Sequence, residues 1–285
     1  MPLSLWTAAV LAAAGGRHAK ADERNAACRT PLELPEGDIP LYIRWEEYVP
    51  TFLATVEGVS FVQVGANCGL NSRQCAVGGD PVFAYARACR WHGIAIEPVK
   101  RTYEALVANY ATTTPLVRPM QALISHTRLD NSTVVAMGET STAYDASDPK
   151  QRRSIQKFLA ASLKRSSTAA GSSASRKRPA HPELERVPQR TLADVWPDGG
   201  ATVLVVDAEG NEPSILGSHS LPWPLPQLIL FEHFHLSDAQ RERVDVQLRR
   251  QGFEHIADLK HRDQGALRLN MTAQDRLYGR RRRSM

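Results

Sequence analysis

The sequence has few cysteines and lacks the motifs that mark several common kinds of enzyme. Its four cysteines, Cys28, Cys68, Cys75 and Cys89, form no Cys-x-x-Cys pair and show no histidine spacing typical of a zinc site. No Gly-x-Ser-x-Gly elbow or cysteine–histidine signature is present, which argues against a covalent serine or cysteine nucleophile. The glycines also do not form the Gly-x-Gly-x-x-Gly fingerprint of dinucleotide-binding proteins.

No hydrophobic run is long enough to span a bilayer comfortably. The apolar run at residues 3–14 is too short for a span, but its length suits the apolar region of a secretory signal. No Lys or Arg precedes it, so a short membrane-associated or buried helix is the alternative. We interpret residues 1–20 as a signal or transit sequence to the secretory pathway or an organelle; without that role the chain would be cytoplasmic. One disulfide is possible in a luminal protein, although a small buried residue is the simpler interpretation of Cys68.

The net positive charge of the chain comes from two segments. Residues 150–178 contain nine Lys or Arg and no acid, and Arg280 to Arg283 add four more. Removing those thirteen charges from the formal net charge of +5 leaves about −8 on the rest of the chain. This distribution argues against a nucleic-acid-binding face on the folded core, but not against basic arms that touch acidic partners.

What the sequence does contain is a buried strand that runs into a glycine turn. Residues 61–64 are apolar and β-prone, and Gly65 and Gly69 supply the backbone freedom that a tight turn needs. A second short strand, residues 93–96, ends at Glu97, whose carboxylate can accept hydrogen bonds from both hydroxyls of a ribose. Such a turn at the carboxyl end of a parallel strand commonly receives a nucleotide-like ligand.

Two later strands also end in polar residues. Residues 203–206 run into Asp207, and residues 228–231 run into Glu232. The pattern predicts an open α/β sheet whose site lies along the carboxyl ends of its strands. Further strands are predicted at 120–124 and 133–137, and an antiparallel pair at 253–259 and 266–269. Helices are predicted to start at Asp80-Pro81 and to cover 99–110, with a helical turn at 191–194 and a short helix at 213–216. A capping box at Ser237 to Gln240 predicts the start of another helix, which ends at Gly252.

Composition divides the chain into segments. After residues 1–20, a proline-punctuated lead-in covers residues 21–55, and the main domain covers residues 56–270. Within that domain, residues 138–185 are rich in Ser, Ala and basic residues, and we interpret them as a disordered insertion, with a substrate-gating arm as the alternative. Residues 271–285 are interpreted as a basic C-terminal tail, whose last seven residues, 279–285, form a solvated terminus or, alternatively, a localisation signal.

The chain resembles the FkbM-type S-adenosylmethionine-dependent methyltransferases. The pieces that carry the resemblance occur in the family's order over roughly residues 60 to 235. They are Val64 to Gly69, Ile96-Glu97-Pro98 with Leu106 to Asn109, Thr191 to Asp194, Val206 to Glu212 with Leu216-Gly217, and Glu232 after a strand. The resemblance implies a Rossmann-like class I methyltransferase fold: a mostly parallel sheet with an antiparallel closing hairpin and helices on both faces.

The resemblance also implies where S-adenosylmethionine would bind. Glu97 would take the ribose hydroxyls, and Ala122 and Leu123 would lie near the adenine. Relatives often carry an acid at the position of Gln63, where it contacts the glycine loop or the cofactor. Gln63 is neutral, so the resemblance does not determine whether it makes the same contact. The methionine part of the cofactor would be lined by Gly65, Ala66, Asn67 and Gly69, with Asp207 facing the donor methyl group.

Three residues are candidates for the chemistry of transfer. Asp207 and Glu209 could deprotonate or orient an acceptor or bind a divalent cation, and His233 is a further candidate base. Glu209 or Glu212 could instead cap the next helix, and His233 could be an ordinary surface histidine. We assign no metal-ligand set.

The expected reaction is methyl transfer to a hydroxyl of a small molecule, glycan or lipid. One alternative is a non-catalytic binding protein that keeps the fold. The other is a dinucleotide-dependent oxidoreductase, which the glycine spacing disfavours. The sequence does not determine the oligomeric state.

Overall fold

The computed structural model describes residues 42–43, 49, 53, 56, 58–69, 80–137, 140–144, 183–217, 220–234, 236–261 and 275–280. The predicted signal sequence, most of the lead-in and the centre of the predicted insertion lie outside these residues. None of the helices in the described ranges is both long and apolar enough to cross a membrane.

The described chain alternates strands and helices. The helices are α1 (Phe83–Cys89), α2 (Lys100–Thr113), α3 (Leu192–Val195), α4 (Glu212–Leu216) and α5 (Asp238–Arg250). The strands are β1 (Tyr42–Ile43), β2 (Ser60–Val64), β3 (His92–Ile96), β4 (Val117–Met120), β5 (Leu123–Ile124), β6 (Leu129–Met137), β7 (Thr140–Tyr144), β8 (Glu183–Arg190), β9 (Val203–Val206), β10 (Leu228–Glu232), β11 (Phe253–His261) and β12 (Asp275–Arg280).

The centre of the fold is an eight-stranded sheet with the order β1-β11-β12-β10-β9-β2-β3-β4. Strands β10, β9, β2, β3 and β4 run parallel, whereas β12, β11 and β1 join in antiparallel pairs. The parallel strands all end at one edge of the sheet, so the residues that follow β2, β3, β9 and β10 meet there. The predicted mostly parallel α/β sheet is confirmed.

Both faces of this sheet are buried, as expected for a parallel sheet covered by helices. Because side chains alternate along a strand, Phe61 packs on one face with α1 and α2, and its neighbour Val62 packs on the other with α3, α4 and α5. Leu106 and Tyr110 of α2 are fully buried on the first face, and Val244 of α5 is fully buried on the second. The predicted helix at 99–110 is confirmed and ends three residues later than expected.

Strands β5 to β8 form a second, four-stranded sheet with the order β5-β8-β6-β7. The prediction of one strand at 120–124 is therefore wrong. Strand β4 ends in the main sheet at Met120, and Leu123 begins β5 in the second sheet. The predicted disordered insertion is wrong at both ends, because residues 140–144 are strand β7 and residues 183–185 are the start of β8. The residues between these two strands are not among those described.

The antiparallel closing pair exists, but its second strand was misplaced. Strand β11 begins at Phe253 as predicted, and its partner is β12 at Asp275–Arg280. The predicted partner at 266–269 lies outside the described residues. The interpretation of residues 271–285 as a tail outside the domain is wrong for 275–280, because Leu277 and Tyr278 are fully buried in the strand that lies between β10 and β11.

Local end signals are where the sequence interpretation was most accurate. Thr191 and Asp194 form a capping box at the start of α3, and Ser237 and Gln240 form one at the start of α5. Each box satisfies backbone N–H groups within three residues of one another. A capping box can therefore be recognised in the sequence without knowledge of the tertiary structure. Gly252 follows α5 with a φ of 88°, as a closing glycine should.

Candidate functional site

The turn after β2 is held against the ends of two neighbouring strands. Gly65 has a φ of 76°, and a Cβ at this position would lie 1.6 Å from the carbonyl oxygen of Asp207. The N–H groups of Gly65 and Ala66 both donate to the carbonyl oxygen of Ile96 at 2.9 Å. Residue 65 must therefore be glycine, because the chain passes too close to the end of β9 for any side chain.

Glu97 joins the tip of β3 to this turn. One carboxylate oxygen of Glu97 accepts from the N–H of Asn67 at 3.1 Å, and the other accepts from the N–H of Val99 at 2.9 Å. Asn67 is itself in the left-handed region, with a φ of 48°, and its side chain accepts from the N–H of Cys68. The prediction that the acid and the glycine turn meet at neighbouring strand tips is thus correct in geometry.

A cleft opens along the same strand ends. The space between its walls, with the open solvent at its mouth included, is about 560 Å³. Seven of the residues predicted for the site line it, together with four others. The seven are Gly65, Asn67, Glu97, Ala122, Leu123, Asp207 and Glu209, and the four are Val64, Pro98, Ile124 and Ala208.

The charge of the cleft is entirely acidic among the residues described. Glu97, Asp207 and Glu209 line it, and no Lys, Arg or His does. Burial raises the pKa of Glu97 to about 7, against the lowering effect of its two backbone hydrogen bonds, and the nearby Glu185 and Glu209 raise it further. Because these carboxylates repel one another, the cleft favours a positively charged ligand over an anionic one.

The turn after β9 is held by a glutamate from the helix that follows it. One carboxylate oxygen of Glu212 accepts from the N–H of Ala208 at 2.7 Å and from that of Gly210 at 3.4 Å. Within this turn Glu209 has a φ of 51°, which is strained for a residue other than glycine. Glu212 therefore shapes the turn that presents Glu209, and it is also the acidic residue in the first turn of α4, the position that the capping interpretation requires.

Four predicted site residues do not line the cleft. Ala66 and Gly69 are buried within the turn, where Gly69 packs under the rings and side chains of α2. Gln63 is buried and donates to Asp80 at 3.1 Å, so it supports the turn from below. His233 is buried after β10 and is not the surface residue that we had weighed as its alternative.

Asp80 is a positioning residue, whereas the sequence predicts it only as a helix start; the helix itself begins at Phe83. One of its oxygens accepts from Gln63 and from the N–H groups of Val82 and Phe83, and the other accepts from the Tyr110 hydroxyl at 2.8 Å. Asp80 thereby ties β2, α1 and α2 together behind the glycine turn. Only the Asp-Pro helix-start signal was visible in the sequence, because the other partners are distant in the chain.

Glu185 was missed because it lies in the segment interpreted as a basic insertion. Its carboxylate accepts from the N–H of Lys100 at 2.7 Å, at the first turn of α2. An acid at a helix N-terminus is stabilising, and it also brings the second sheet close to Glu97. No local pattern could have indicated this contact between residues 85 positions apart.

The cysteines also differ from expectation. Cys68 and Cys89 are both disulfide-bonded, so the simpler interpretation of Cys68 as a small buried residue is incomplete. Cys68 lies in the glycine turn and its carbonyl accepts from the Asn109 side chain at 2.7 Å. The turn is consequently anchored by covalent as well as hydrogen bonds.

The sequence matches the profile of a known protein family. The profile of the methyltransferase FkbM domain matches residues 63–261. No curated protein matches the sequence. A SAM-dependent O-methyltransferase from Thermotoga maritima is similar in structure, with a TM-score of 0.37 and 10% identity, over 93% of this chain and 72% of that one. Since the FkbM profile covers well over half of the sequence, the chain belongs to the methyltransferase FkbM domain family.

Proposed function

We propose that the cleft binds S-adenosylmethionine and that the chain transfers its methyl group to a hydroxyl of a small molecule, glycan or lipid. The observation that carries this proposal is the junction of Glu97 with the glycine turn. Each carboxylate oxygen of Glu97 holds one backbone N–H and keeps a second lone pair. Because Glu97 lines the cleft, those lone pairs can accept from the two hydroxyls of a ribose.

The charge of the cleft supports the same donor. S-adenosylmethionine carries a sulfonium and an ammonium group, and both gain from the carboxylates of Glu97, Asp207 and Glu209. A nicotinamide dinucleotide carries a pyrophosphate instead, which these carboxylates would repel. The acidic lining therefore argues against the oxidoreductase alternative.

A sulfonium donor is already activated for methyl transfer. The protein therefore needs only to position donor and acceptor and to remove a proton from the acceptor. Asp207 follows β9, and its N–H donates to the carbonyl of Val64 at 2.9 Å, which holds it beside the glycine turn. We assign to Asp207 the acceptance of the hydroxyl proton. Glu209, presented by a strained turn in the same cleft, orients the acceptor.

The disulfides and the apolar run at residues 3–14 bear on the class of acceptor. Two of the described cysteines are disulfide-bonded, and structural disulfides are typical of oxidising compartments. Together with the apolar run at residues 3–14, this favours the secretory pathway, where glycans and lipids are abundant hydroxyl acceptors. A screen of glycans, lipids and small polyols with isotopically labelled donor is the direct way to find the substrate.

Calorimetric titration with S-adenosylhomocysteine tests the donor site. We expect the wild-type chain to bind it and Glu97→Gln to weaken it by at least about tenfold, because the amide cannot accept with both ends. Glu104→Gln, an exposed change on α2, is the matched control and should bind as wild type. Binding of NAD in place of S-adenosylhomocysteine, or no ligand at all, would overturn the proposal.

Asp207→Asn separates binding from transfer. The substitution keeps the shape of the side chain, and S-adenosylhomocysteine lacks the sulfonium charge that the Asp207 carboxylate would attract. We therefore expect S-adenosylhomocysteine affinity to stay within about twofold while kcat falls by about a hundredfold or more. Unaltered turnover would remove Asp207 from the chemistry. Binding without turnover for any acceptor in the wild-type chain would favour the non-catalytic alternative.

A further inference from the structure

Three carboxylates meet at the strand ends next to the cleft. Asp207 follows β9, Glu232 ends the neighbouring parallel strand β10, and Glu212 returns to them through the turn at the start of α4. One oxygen atom from each of the three lies within 4.8 Å of the other two. Of these residues only Asp207 lines the cleft, so the cluster extends the site inward.

The surroundings of the Glu212 side chain indicate that this cluster binds a ligand. Its side chain is 1% exposed, and one of its oxygens is used by the N–H groups of Ala208 and Gly210. The other oxygen is buried and has no hydrogen-bond partner in the described part of the chain. An orphaned carboxylate oxygen is costly to bury, so a partner that is not a protein atom would stabilise it.

The spacing and the chemistry of the three groups fit a metal ion. Hard divalent cations bind carboxylate oxygens at about 2.0–2.6 Å, so two oxygens on one ion lie at most about 5 Å apart. The observed 4.8 Å limit satisfies that condition before any adjustment of the side chains. An ion would also cancel the mutual repulsion of three carboxylates, which otherwise disfavours their ionised forms.

We propose that Asp207, Glu212 and Glu232 bind one oxygen-preferring divalent cation of the Mg²⁺, Mn²⁺ or Ca²⁺ type. Binding of the ion does not depend on the proposed methyl transfer. Its consequence for catalysis does rest on that proposal: through Asp207 the ion would lie beside the cleft and lower the pKa of an acceptor hydroxyl that reaches it. In that arrangement the ion would stabilise the negative charge on the acceptor oxygen, and the carboxylate oxygen of Asp207 that does not bind the ion would accept the proton.

Mn²⁺ binding, followed by the loss of the free-ion electron paramagnetic resonance signal, tests the site directly. We expect one bound Mn²⁺ per chain, displaced by Mg²⁺ or Ca²⁺. Glu212→Gln and Glu232→Gln should each weaken binding by at least about tenfold. Glu212→Gln is the cleaner change, because its amide oxygen can still accept from Ala208 and Gly210. Glu104→Gln is the control and should bind as wild type.

The measurement of Mn²⁺ binding can be interpreted whether or not the protein transfers a methyl group. Absence of a bound Mn²⁺ in the wild-type chain at millimolar ion overturns the proposal. So does undiminished binding in both folded variants, as judged by circular dichroism, because the ion would then be held elsewhere. S-adenosylhomocysteine titration on the same samples reports on the donor site separately, so failure of one proposal is distinguishable from failure of the other.

Discussion

A single backbone position shows how narrowly the site is built. At Gly65 the chain turns with a positive φ and passes so close to the end of β9 that an added methyl group would overlap the carbonyl of Asp207. At Gly69 the obstacle is different: an added Cβ would meet the Tyr110 ring at 2.4 Å, and a side chain can shift more easily than a backbone. Both glycines were read from the sequence, but only the structure distinguishes their reasons.

Alanine substitutions at three glycines should separate collision from conformational strain. Gly199 has open space and an ordinary φ, so Gly199→Ala should change the free energy of unfolding by less than about 0.5 kcal/mol. Gly252 has open space but a φ of 88°, so Gly252→Ala should cost about 1–2 kcal/mol. Gly65→Ala adds a backbone collision and should cost at least about 4 kcal/mol.

Urea unfolding curves of the three variants measure the expected order of their losses in the free energy of unfolding. A Gly65→Ala protein as stable as Gly252→Ala would show that the turn can move away from β9. In that case the close approach would not define the shape of the site.

At the scale of elements, the turn from β9 to α4 depends on a buried acid. Burial raises the pKa of Glu212 to about 7, although the N–H groups of Ala208 and Gly210 lower it and Glu209 raises it further. An unfolded glutamate titrates near pH 4.5. The folded state therefore holds a proton that the unfolded state has lost between these values. The stability contributed by this group is present below about pH 4.5 and is lost as the pH rises through about 7.

In buffer with EDTA, we expect the free energy of unfolding to fall between pH 5 and pH 7. Glu212 contributes a slope of up to about 1.4 kcal/mol per pH unit. Glu212→Gln should reduce the slope of the free energy of unfolding against pH by that amount. A slope from Glu97 should remain, because the pKa of Glu97 is raised as well. Glu104→Gln should keep the wild-type slope. An unchanged profile in Glu212→Gln would show that Glu212 stays ionised across this range.

At the scale of the whole molecule, the sheet is closed by a strand from near the end of the sequence. Strand β12 lies between β10 and β11, and its residues Leu277 and Tyr278 belong to the two opposite cores. The Tyr278 hydroxyl donates to Asp245 of α5, and Arg276 donates to the same carboxylate at 2.5 Å. The two cores and α5 thus all depend on β12.

Two truncations test that dependence. A chain that ends after residue 274 loses β12, exposes the edges of β10 and β11, and should fail to give a cooperative thermal transition. A chain that ends at Arg280 keeps β12 and should melt within about 2 °C of the full chain. Normal folding of the shorter chain would show that β10 and β11 can pair or be covered without it.

Much of this protein can be derived from local sequence. The alternation of buried strands with helices predicts the parallel sheet. The helical turn at 191–194 and the capping box at Ser237 were also predicted, because the residues that form each of them lie within a few positions of one another. The meeting of Glu97 with the glycine turn was also predictable. It follows from one inference, that β2 and β3 are neighbours whose ends share an edge.

What only the tertiary structure decided are the contacts between residues that are far apart in the chain. The position of β12, the support of α2 by Glu185, the role of Asp80 behind the turn and the meeting of Asp207, Glu212 and Glu232 all belong to this class. Each depends on which strands become neighbours and on how deeply a polar group is buried once they do. A short-range pattern carries no information about either, because burial and pairing are properties of the assembled sheets.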